Sequence, residues 1–288
     1  MATKHAYYVP HEAKWPIVGS IGLTTLMVGF ANLVNGSSVG STMMVLGAII
    51  MVVMLFGWFG TVISESVAGS YSHQVDVSFR MGMMWFIFSE VMFFAAFFGA
   101  LYYTRIYAIP WLAGGLDYSN GATHELWANF KDVWPTNGPG EVGGHFEQMG
   151  AWGIPFLNTL ILLTSGGTVT WAHWGLLANN RPQLIKGLAA TVALGFSFVA
   201  LQAVEYHEAY TEMGLTLGSG IYGSTFFMLT GFHGLHVTIG AIFLTVVLLR
   251  SIKGHFSEHN HFAFEAAAWY WHFVDVVWLG LFIFVYWL

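Results

Sequence analysis

Long apolar segments alternate with short polar ones along the whole chain of 288 residues. Charged residues are absent from three long stretches, which lie between Lys14 and Glu65, between Glu147 and Arg181, and between Glu212 and Arg250. A helix needs about 20 apolar residues to cross the hydrocarbon core of a bilayer. The pattern therefore predicts seven membrane-spanning helices, approximately Pro16–Val34, Met43–Ile63, Arg80–Tyr103, Trp152–Leu177, Gly187–His207, Gly223–Arg250 and Ala266–Leu288.

Two polar segments interrupt this pattern. Residues 64–79 connect the second and third predicted spans, and residues 105–151 follow the third span and contain many Gly, Pro and Asn residues. We expect the first segment to separate a two-helix hairpin, residues 1–79, from a five-helix bundle, residues 80–288. The second segment carries turn signals and is predicted to be a long outer loop.

The composition indicates a membrane protein. Of the residues, 56% are hydrophobic and 8% are charged, against about 25% charged residues in an ordinary soluble domain. We therefore expect an all-α integral membrane protein. The absence of cysteine excludes disulfides and thiolate metal sites. The net charge of −6 gives no reason to expect a nucleic-acid partner.

The basic residues are distributed unevenly between the predicted connections. With the N-terminus inside, seven of the nine Lys and Arg residues are on the inner side, and only Arg105 and Lys131 are outside. This distribution satisfies the positive-inside rule. It predicts a cytoplasmic N-terminus and, after seven spans, a C-terminus on the outer side. The first span is too long, and too weakly preceded by basic residues, for a cleaved signal peptide, so we expect it to remain.

Several ionisable residues lie inside predicted spans, where a charge near the bilayer centre costs about 2.5–3.5 kcal/mol. The last span carries His272 and Asp275 three residues apart, the sixth carries His233 and His236, and the third carries Glu90. Residues three apart are neighbours on a helix. We expect all five side chains to be buried and to form hydrogen bonds between helices. For the last pair, the partners should be on the sixth or fourth span, with the region of His233 favoured.

A metal or haem site is an alternative use of the same residues. His233, His236 and His272, together with a carboxylate, could supply suitable ligands, and the sequence alone does not exclude that geometry. A buried His more often forms a hydrogen bond to another helix. We therefore expect that this chain binds no metal and no redox cofactor.

A proton or ion transporter is a second alternative, with Glu90, Glu205 and Asp275 as members of a relay. Transporters usually show inverted repeats or helices broken at matching places, and neither is visible in this sequence. Burial favours the neutral form of a carboxyl group. Each of these residues could therefore be a neutral hydrogen-bond donor between helices.

Aromatic and charged residues adjoin each other at the inner end of the second span. Trp58 and Phe59 precede Glu65, and His73 and Arg80 follow in the inner connection. Such a group suits a phospholipid headgroup. An ordinary aromatic belt with a snorkelling Arg explains the same pattern equally well.

Five longer motifs are distinctive in both length and order. They are FIFSEVMFFAAFF from Phe86, LNTLILLTSGGTVTWAH from Leu157, LQAVEY from Leu201, YGSTFFMLTGFHGLHVTIG from Tyr222 and FEAAAWYWHFVDVVW from Phe264. Together they closely resemble the cytochrome c oxidase subunit III family. The resemblance is strong over the third to seventh spans and looser over the first two.

Three positions depart from the pattern of that family. Trp174 follows His173 where relatives often have a second His, Phe59 follows Trp58 where a second Trp is frequent, and Gly280 replaces a bulkier residue. In the long outer loop, the resemblance is limited to WPTNG. These differences concern local lipid or helix contacts and leave the family resemblance intact.

The resemblance implies a two-plus-five arrangement of seven helices with a V-shaped cleft that holds phospholipids. It implies subunit I as a partner, which carries haem and copper and reduces oxygen, and subunit II, which contains copper and receives electrons from cytochrome c. In this family, subunit III has no redox centre. It supports proton uptake by subunit I, near which the face of Glu90 is placed, and protects that subunit during turnover.

The sequence therefore predicts an accessory, non-catalytic subunit of a proton-pumping aa3-type cytochrome c oxidase. The equivalent subunit of a quinol oxidase is the alternative, and an independent proton-coupled transporter is a more distant one. His5 and His11 titrate near neutral pH and are expected to assist proton uptake on the inner side. We expect a bacterial plasma membrane, with the mitochondrial inner membrane as the alternative.

Overall fold

The computed structural model of the chain describes residue 8, residues 13–115 and residues 122–288. Helices dominate these residues, and no strand occurs among them. Seven of the described helices have at least 20 residues. They are α1 (Trp15–Val34), α2 (Val39–Val67), α3 (His73–Tyr103), α6 (Ile154–Leu177), α7 (Arg181–Thr211), α8 (Gly220–Lys253) and α9 (Phe262–Leu281), with the short helices α4 (Ile109–Leu112) and α5 (Ala122–Leu126) between α3 and α6.

Each of the seven long helices overlaps one of the seven predicted spans, and the all-α membrane fold is confirmed. Six of them are long and apolar enough to cross a membrane. The remaining one, α6, has 24 residues and contains no charged side chain, but it includes polar residues such as Asn158, Thr159 and Ser165. These three side chains are buried. These polar side chains of α6 therefore face other helices.

Several predicted boundaries are wrong. The connection predicted at residues 64–79 is mostly helical, because α2 continues to Val67 and α3 already begins at His73. The predicted loop at residues 105–151 starts with a π-helical turn, Thr104–Ala108, followed by α4 and α5. A second π-helical segment, Phe282–Trp287, ends the last span. Polar residues can continue a helix beyond the hydrocarbon region, so the end of an apolar run does not mark the end of the helix.

The chain forms two compact units, Met1–Met81 and Gly82–Leu288, whereas the predicted division falls between residues 79 and 80. In the first unit, α1 and α2 pack closely against each other. Gly22 and Gly29 on α1, and Gly40 and Gly47 on α2, are buried. A Cβ atom at Gly47 would lie 2.5 Å from the backbone nitrogen of Leu26. Small residues thus allow the two backbones to approach each other.

In the second unit, four helices contact one another in a closed order. Helix α6 contacts α7 and α9, and α8 contacts α7 and α9. The indole of Trp271 on α9 is fully buried among them. Gly195 on α7 and Gly240 on α8 provide its space, because Cβ atoms there would lie 2.7 Å and 2.9 Å from the indole. The part of α3 in this unit contributes Phe94, which is also buried.

Candidate functional site

Two tryptophans of α9 anchor the bundle through hydrogen bonds to α6. Trp271 donates its indole N–H to Ser165 Oγ at 2.8 Å, and Trp278 donates to Thr159 Oγ1 at 2.9 Å. The two tryptophans are seven positions apart, so they lie on the same side of α9 two turns apart. Sequence reasoning missed both contacts. The available signal was the spacing of Trp271 and Trp278, matched by Ser165 and Thr159 six residues apart on α6.

Glu90 on α3 and His236 on α8 form the clearest contact between ionisable side chains of different helices. Glu90 Oε2 lies 2.9 Å from His236 Nε2, and the side chains are 22% and 12% exposed. His236 Nδ1 lies 2.6 Å from the carbonyl oxygen of Phe232. Because a carbonyl can only accept, Nδ1 carries a hydrogen. Glu90 and His236 Nε2 therefore share one further proton, and the pair has no net charge when that proton is present.

The aromatic residues near Glu90 do not all surround it. Trp85 and Phe88 are 66% and 54% exposed, whereas Phe94 is buried. Phe93 contacts Phe232 edge-to-face with a centroid distance of 4.9 Å. Glu90 is therefore half-buried. The sequence had suggested that it would be fully enclosed. One side of α3 faces the bundle, and its other aromatic residues face outward.

His233 is the fully buried histidine of α8. Its Nε2 atom lies 3.2 Å from the backbone carbonyl oxygen of Val274, so Nε2 carries a hydrogen and donates it. The ring also lies against Trp278, with a centroid distance of 5.1 Å. The sequence favoured the region of His233 as the partner of His272 and Asp275. The structure instead directs His233 to the backbone between those two residues.

His272 and Asp275 differ in burial, which corrects the prediction that both are enclosed. The His272 side chain is 47% exposed and that of Asp275 only 9%. Their Nδ1 and Oδ2 atoms are 3.7 Å apart, which is too long for a hydrogen bond. His272 Nε2 contacts Thr170 Oγ1 on α6 at 3.3 Å. Residues three apart are offset around the helix, so Asp275 faces α6 while His272 lies at the edge of the bundle.

Asp275 meets α6 at Gly166. A Cβ atom at that glycine would lie 2.5 Å from Asp275 Oδ2. Asp275 Oδ1 is buried and has no hydrogen-bond partner among the described residues. The expected hydrogen bond from Asp275 to another helix is therefore not present at this oxygen.

Glu205 on α7 is the most deeply buried carboxyl group of the described bundle, at 0% exposure. Tyr286 donates its hydroxyl hydrogen to Glu205 Oε1 at 2.6 Å. This contact ties the C-terminal π-helical segment to α7. The sequence suggested Glu205 as a relay member together with Glu90 and Asp275. In the structure, the three carboxyl groups have separate partners, since Glu90 contacts His236, Glu205 contacts Tyr286 and Asp275 lies near His272.

The residues predicted to bind lipid lie in the first unit and have different surroundings. Trp58 and Phe59 stack with a centroid distance of 5.6 Å and are 48% and 47% exposed. Arg80 Nε donates to Asp76 Oδ2 at 2.8 Å, and His73 is exposed. An exposed aromatic pair and an ion-paired arginine thus lie in this unit.

Glu65, the fifth predicted lipid contact, is engaged by two tyrosines. Tyr8 donates to Oε1 at 2.8 Å, and Tyr71 donates to Oε2 at 2.7 Å. The hydrogen bond to Glu65 raises the pKa of Tyr8. Burial, and then the hydrogen bond to Glu65, raise the pKa of Tyr71. Both phenols therefore remain donors at neutral pH, and sequence reasoning missed this contact.

His5 and His11, which were predicted to assist proton uptake, lie outside the described residues.

The histidines proposed as metal ligands do not form a common site among the described residues. His233 and His236 have the separate partners described above, and His272 contacts Thr170. A different group, His173, His261 and Glu265, brings three possible ligand atoms together. Sequence reasoning missed this group, although the His261–Glu265 spacing of four residues was a possible signal.

Comparison with known proteins agrees with this helical architecture. The sequence profile of the family described as Cytochrome c oxidase subunit III matches residues 5–117 and 126–288. The chain belongs to the cytochrome c oxidase subunit III family. Cytochrome c oxidase subunit 3 of Formosania lacustris is 43% identical over 284 residues, which cover 98% of this chain and 97% of that protein.

Relatives from distant organisms show similar agreement. Cytochrome c oxidase subunit 3 of Carassius auratus is 42% identical over 98% of this chain and 97% of its own length. That of Marchantia polymorpha is 41% identical over 100% of this chain and 98% of its own length. These matches confirm the family that the motifs indicated. The chain is therefore a multi-pass subunit of cytochrome c oxidase and works within a complex of oxidase subunits.

One departure from the subunit III pattern has a local explanation. A Cβ atom at Gly280 on α9 would lie 3.1 Å from Cζ of Phe98 on α3. A bulkier residue would have to displace that ring. Phe98 also contacts Phe284 edge-to-face at 6.1 Å between centroids. The glycine thus allows an aromatic residue of α3 to fill the space at the end of α9.

Proposed function

We propose that this subunit III supports the catalytic subunit of cytochrome c oxidase and holds no redox centre itself. The Glu90–His236 contact is the observation that carries this proposal. Glu90 Oε2 and His236 Nε2 lie 2.9 Å apart and are hydrogen-bond partners across two helices. Both side chains pack among aromatic rings, which is typical of structural groups. The proposed partners are subunit I, with haem and copper, and subunit II, with copper, and cytochrome c donates electrons to the complex.

Measurement of the metal and haem content tests the non-redox role. Removal of this subunit from the purified oxidase should leave haem and copper per remaining complex unchanged, because no ligand is lost with it. The optical spectra of the haems should also be retained. Stoichiometric loss of haem or copper together with the subunit would contradict the proposal. A mock-treated complex, exposed to the same detergent but keeping the subunit, is the matched control.

Phospholipid binding is the second element of the proposal. Trp58 and Phe59 offer an exposed apolar surface, and Arg80 and His73 can interact with a phosphate group. Glu65 would contribute indirectly, since its oxygens already accept hydrogen bonds from Tyr8 and Tyr71. Whether this lipid occupies the cleft implied by the family stays a prediction.

Native mass spectrometry of the gently purified oxidase tests this lipid contact. Arg80→Ala should retain less phospholipid than the parent, and Arg80→Lys should retain an intermediate amount because it keeps the charge. Lys186→Ala removes an exposed basic residue of α7 and serves as the control. Equal lipid content in all four complexes would exclude Arg80 as a headgroup ligand.

Support of proton uptake is the third element. The Lys and Arg distribution favours an inner N-terminus, and His5 and His11 would then lie on the side from which protons are taken up. Histidines exchange protons readily near neutral pH. We place the chain in a bacterial plasma membrane, with a mitochondrial inner membrane as the alternative. Protease accessibility of the N-terminus in sealed vesicles of known orientation tests the inner assignment.

A further inference from the structure

Three possible metal ligands converge where α6 ends and α9 begins. One ligand atom from each of His173, His261 and Glu265 lies within 4.8 Å of the others. His173 is in the last part of α6, His261 is the N-cap of α9, and Glu265 lies one turn into α9. The helix contacts that support the proposed function use none of these side chains. The group therefore requires an explanation of its own.

The hydrogen bond of His261 prepares its other ring nitrogen for a ligand. His261 Nδ1 lies 2.9 Å from the carbonyl oxygen of Ser257. A carbonyl only accepts, so Nδ1 carries the hydrogen and Nε2 of the neutral ring has a free lone pair. Metal-bound histidines are oriented in the same way by a partner on the second nitrogen.

Glu265 faces this lone pair. Its Oε1 atom lies 3.2 Å from His261 Nε2, and the two side chains are only 16% and 8% exposed. A carboxylate oxygen and an unprotonated imidazole nitrogen are both acceptors. Two acceptors at this distance, largely removed from water, require a cation between them. That cation is either a proton or a metal ion.

His173 distinguishes these two possibilities. Its Nε2 atom is buried and has no hydrogen-bond partner among the described residues. The ring is held in place against Phe264, with a centroid distance of 5.2 Å, and lies 5.7 Å from the ring of His261. One proton can join His261 to Glu265, but it leaves His173 unsatisfied. A metal ion can satisfy all three residues together.

We propose that His173, His261 and Glu265 form a binding site for a divalent transition-metal cation, with Zn²⁺ as the best match. Zn²⁺ prefers nitrogen and carboxylate ligands in tetrahedral geometry, with bond lengths of about 2.0–2.2 Å. Ligand atoms in such a site are about 3.3 Å apart. The His261–Glu265 distance of 3.2 Å already meets this requirement. The ligand atom of His173, which lies within 4.8 Å of the other two, needs a shift of at most about 1.5 Å to meet it. Water supplies the fourth ligand.

The chemistry of the ligands excludes the common hard cations. Ca²⁺ and Mg²⁺ are bound mainly by oxygen ligands, whereas two of the three groups here are imidazoles. A bound Zn²⁺ would join the end of α6 to the start of α9. This proposal departs from the expectation that the chain binds no metal, and it assigns the site a structural role separate from electron transfer.

Zinc stoichiometry of the purified oxidase complex tests the proposal. The complex is treated with a chelator, equilibrated with ZnCl₂, freed of unbound metal, and analysed by mass spectrometry for zinc per copper. Glu265→Gln and His261→Gln should each bind one zinc ion fewer than the parent. His259→Gln is the control, because His259 is 89% exposed on the same connection. Equal zinc content in the parent and both ligand variants would overturn the proposal.

A measurement on the parent complex keeps the test valid if a variant does not assemble. Crystals of the parent equilibrated with zinc should give an anomalous difference peak at the zinc absorption edge among the three side chains. No peak there at saturating zinc would overturn the proposal. Neither result changes the haem and copper test of the accessory role, so the two proposals can fail independently.

Discussion

At the scale of single residues, His236 shows how a titratable group is accommodated in an apolar helix. Its Nδ1 donates to the preceding turn of its own helix, and its Nε2 meets Glu90 of another helix. Both nitrogens are thus satisfied within the protein. An ionisable group in lipid is costly when it lacks partners, so a paired Glu and His can remain in a membrane-spanning bundle.

Substitution of Glu90 tests whether the pair is structural. Glu90→Gln keeps the shape and can still donate to His236 Nε2, so assembly and proton pumping should be nearly normal. Glu90→Leu leaves that nitrogen without its partner and should destabilise the subunit by about 1–3 kcal/mol. The measurements are thermal unfolding and proton pumping of the reconstituted oxidase.

Ser89→Ala is the control for the Glu90 variants, because within the described part of the chain the hydroxyl of Ser89 donates only to the carbonyl of Phe86 in its own helix. It should behave like the parent in both measurements. If Glu90→Gln and Glu90→Leu abolish pumping to the same extent while the complex assembles, Glu90 is a proton carrier and its structural assignment is wrong.

Tyr71 provides a pH-dependent test in the first unit. Its folded-state pKa is raised from the ordinary value of 10.0 by burial and by Glu65. Stability from the protonated hydroxyl is therefore fully present below pH 10 and decreases as the pH rises towards the folded-state pKa. Tyr71→Phe should be less stable than the parent at pH 8, by about 0.5–1 kcal/mol. The difference should shrink above about pH 10.

Thermal unfolding followed by circular dichroism at pH 8, 9 and 10.5 measures this difference. Tyr103→Phe is the control, since Tyr103 is 63% exposed and should show little effect at any pH. A stability difference between the parent and Tyr71→Phe that stays constant through this range would contradict the assigned hydrogen bond.

The sequence could predict which residues are unusual but not which ones meet. Glu90 and His236 were recognised as ionisable groups within apolar segments, yet 146 positions separate them. No local pattern specifies that distance. His272 and Asp275 were correctly placed on neighbouring positions of one helix. Only the packing against α6 decides that Asp275 faces inward and that His272 remains half-exposed.

At the scale of the elements, glycines determine how closely helices approach. The contact between α1 and α2 uses glycines on both helices, and Trp271 on α9 occupies space left by Gly195 and Gly240. Apolar periodicity located all seven long helices because each forms a long apolar segment. It could not locate the ends of the helices. In the predicted connection at residues 64–79, polar residues extend α2 at one end and begin α3 at the other.

Two glycines of α2 make a matched test of close packing. Gly47→Ala would place a Cβ atom 2.5 Å from the backbone of Leu26, so the helices must separate, at a cost of about 1–3 kcal/mol. Gly60→Ala meets nothing within 4 Å and should be neutral or slightly stabilising, because alanine favours helix. Thermal unfolding and the yield of assembled oxidase measure both. Equal effects of the two substitutions would contradict the tight contact at Gly47.

At the scale of the whole molecule, seven long helices and a full-length family match define a membrane subunit of cytochrome c oxidase. The polar contacts of its bundle join α6 to α9, α3 to α8 and α7 to the C-terminal segment. A subunit built in this way can hold its shape beside a catalytic partner. Its contribution should therefore appear in two properties of the complex, which are the retention of activity over many turnovers and the rate of proton uptake. It should not appear in electron transfer.

Oxygen consumption over many turnovers measures this contribution most directly. Oxidase with and without this subunit is followed with reduced cytochrome c as donor at several pH values. We expect nearly equal initial rates at low pH, a rate that declines more steeply with rising pH in the depleted enzyme, and progressive loss of activity of the depleted enzyme. If the subunit is added back before turnover begins, the enzyme should again retain its activity over many turnovers. Unchanged turnover at every pH without the subunit would contradict the supporting role, and immediate inactivation with loss of haem or copper would contradict the absence of a redox centre.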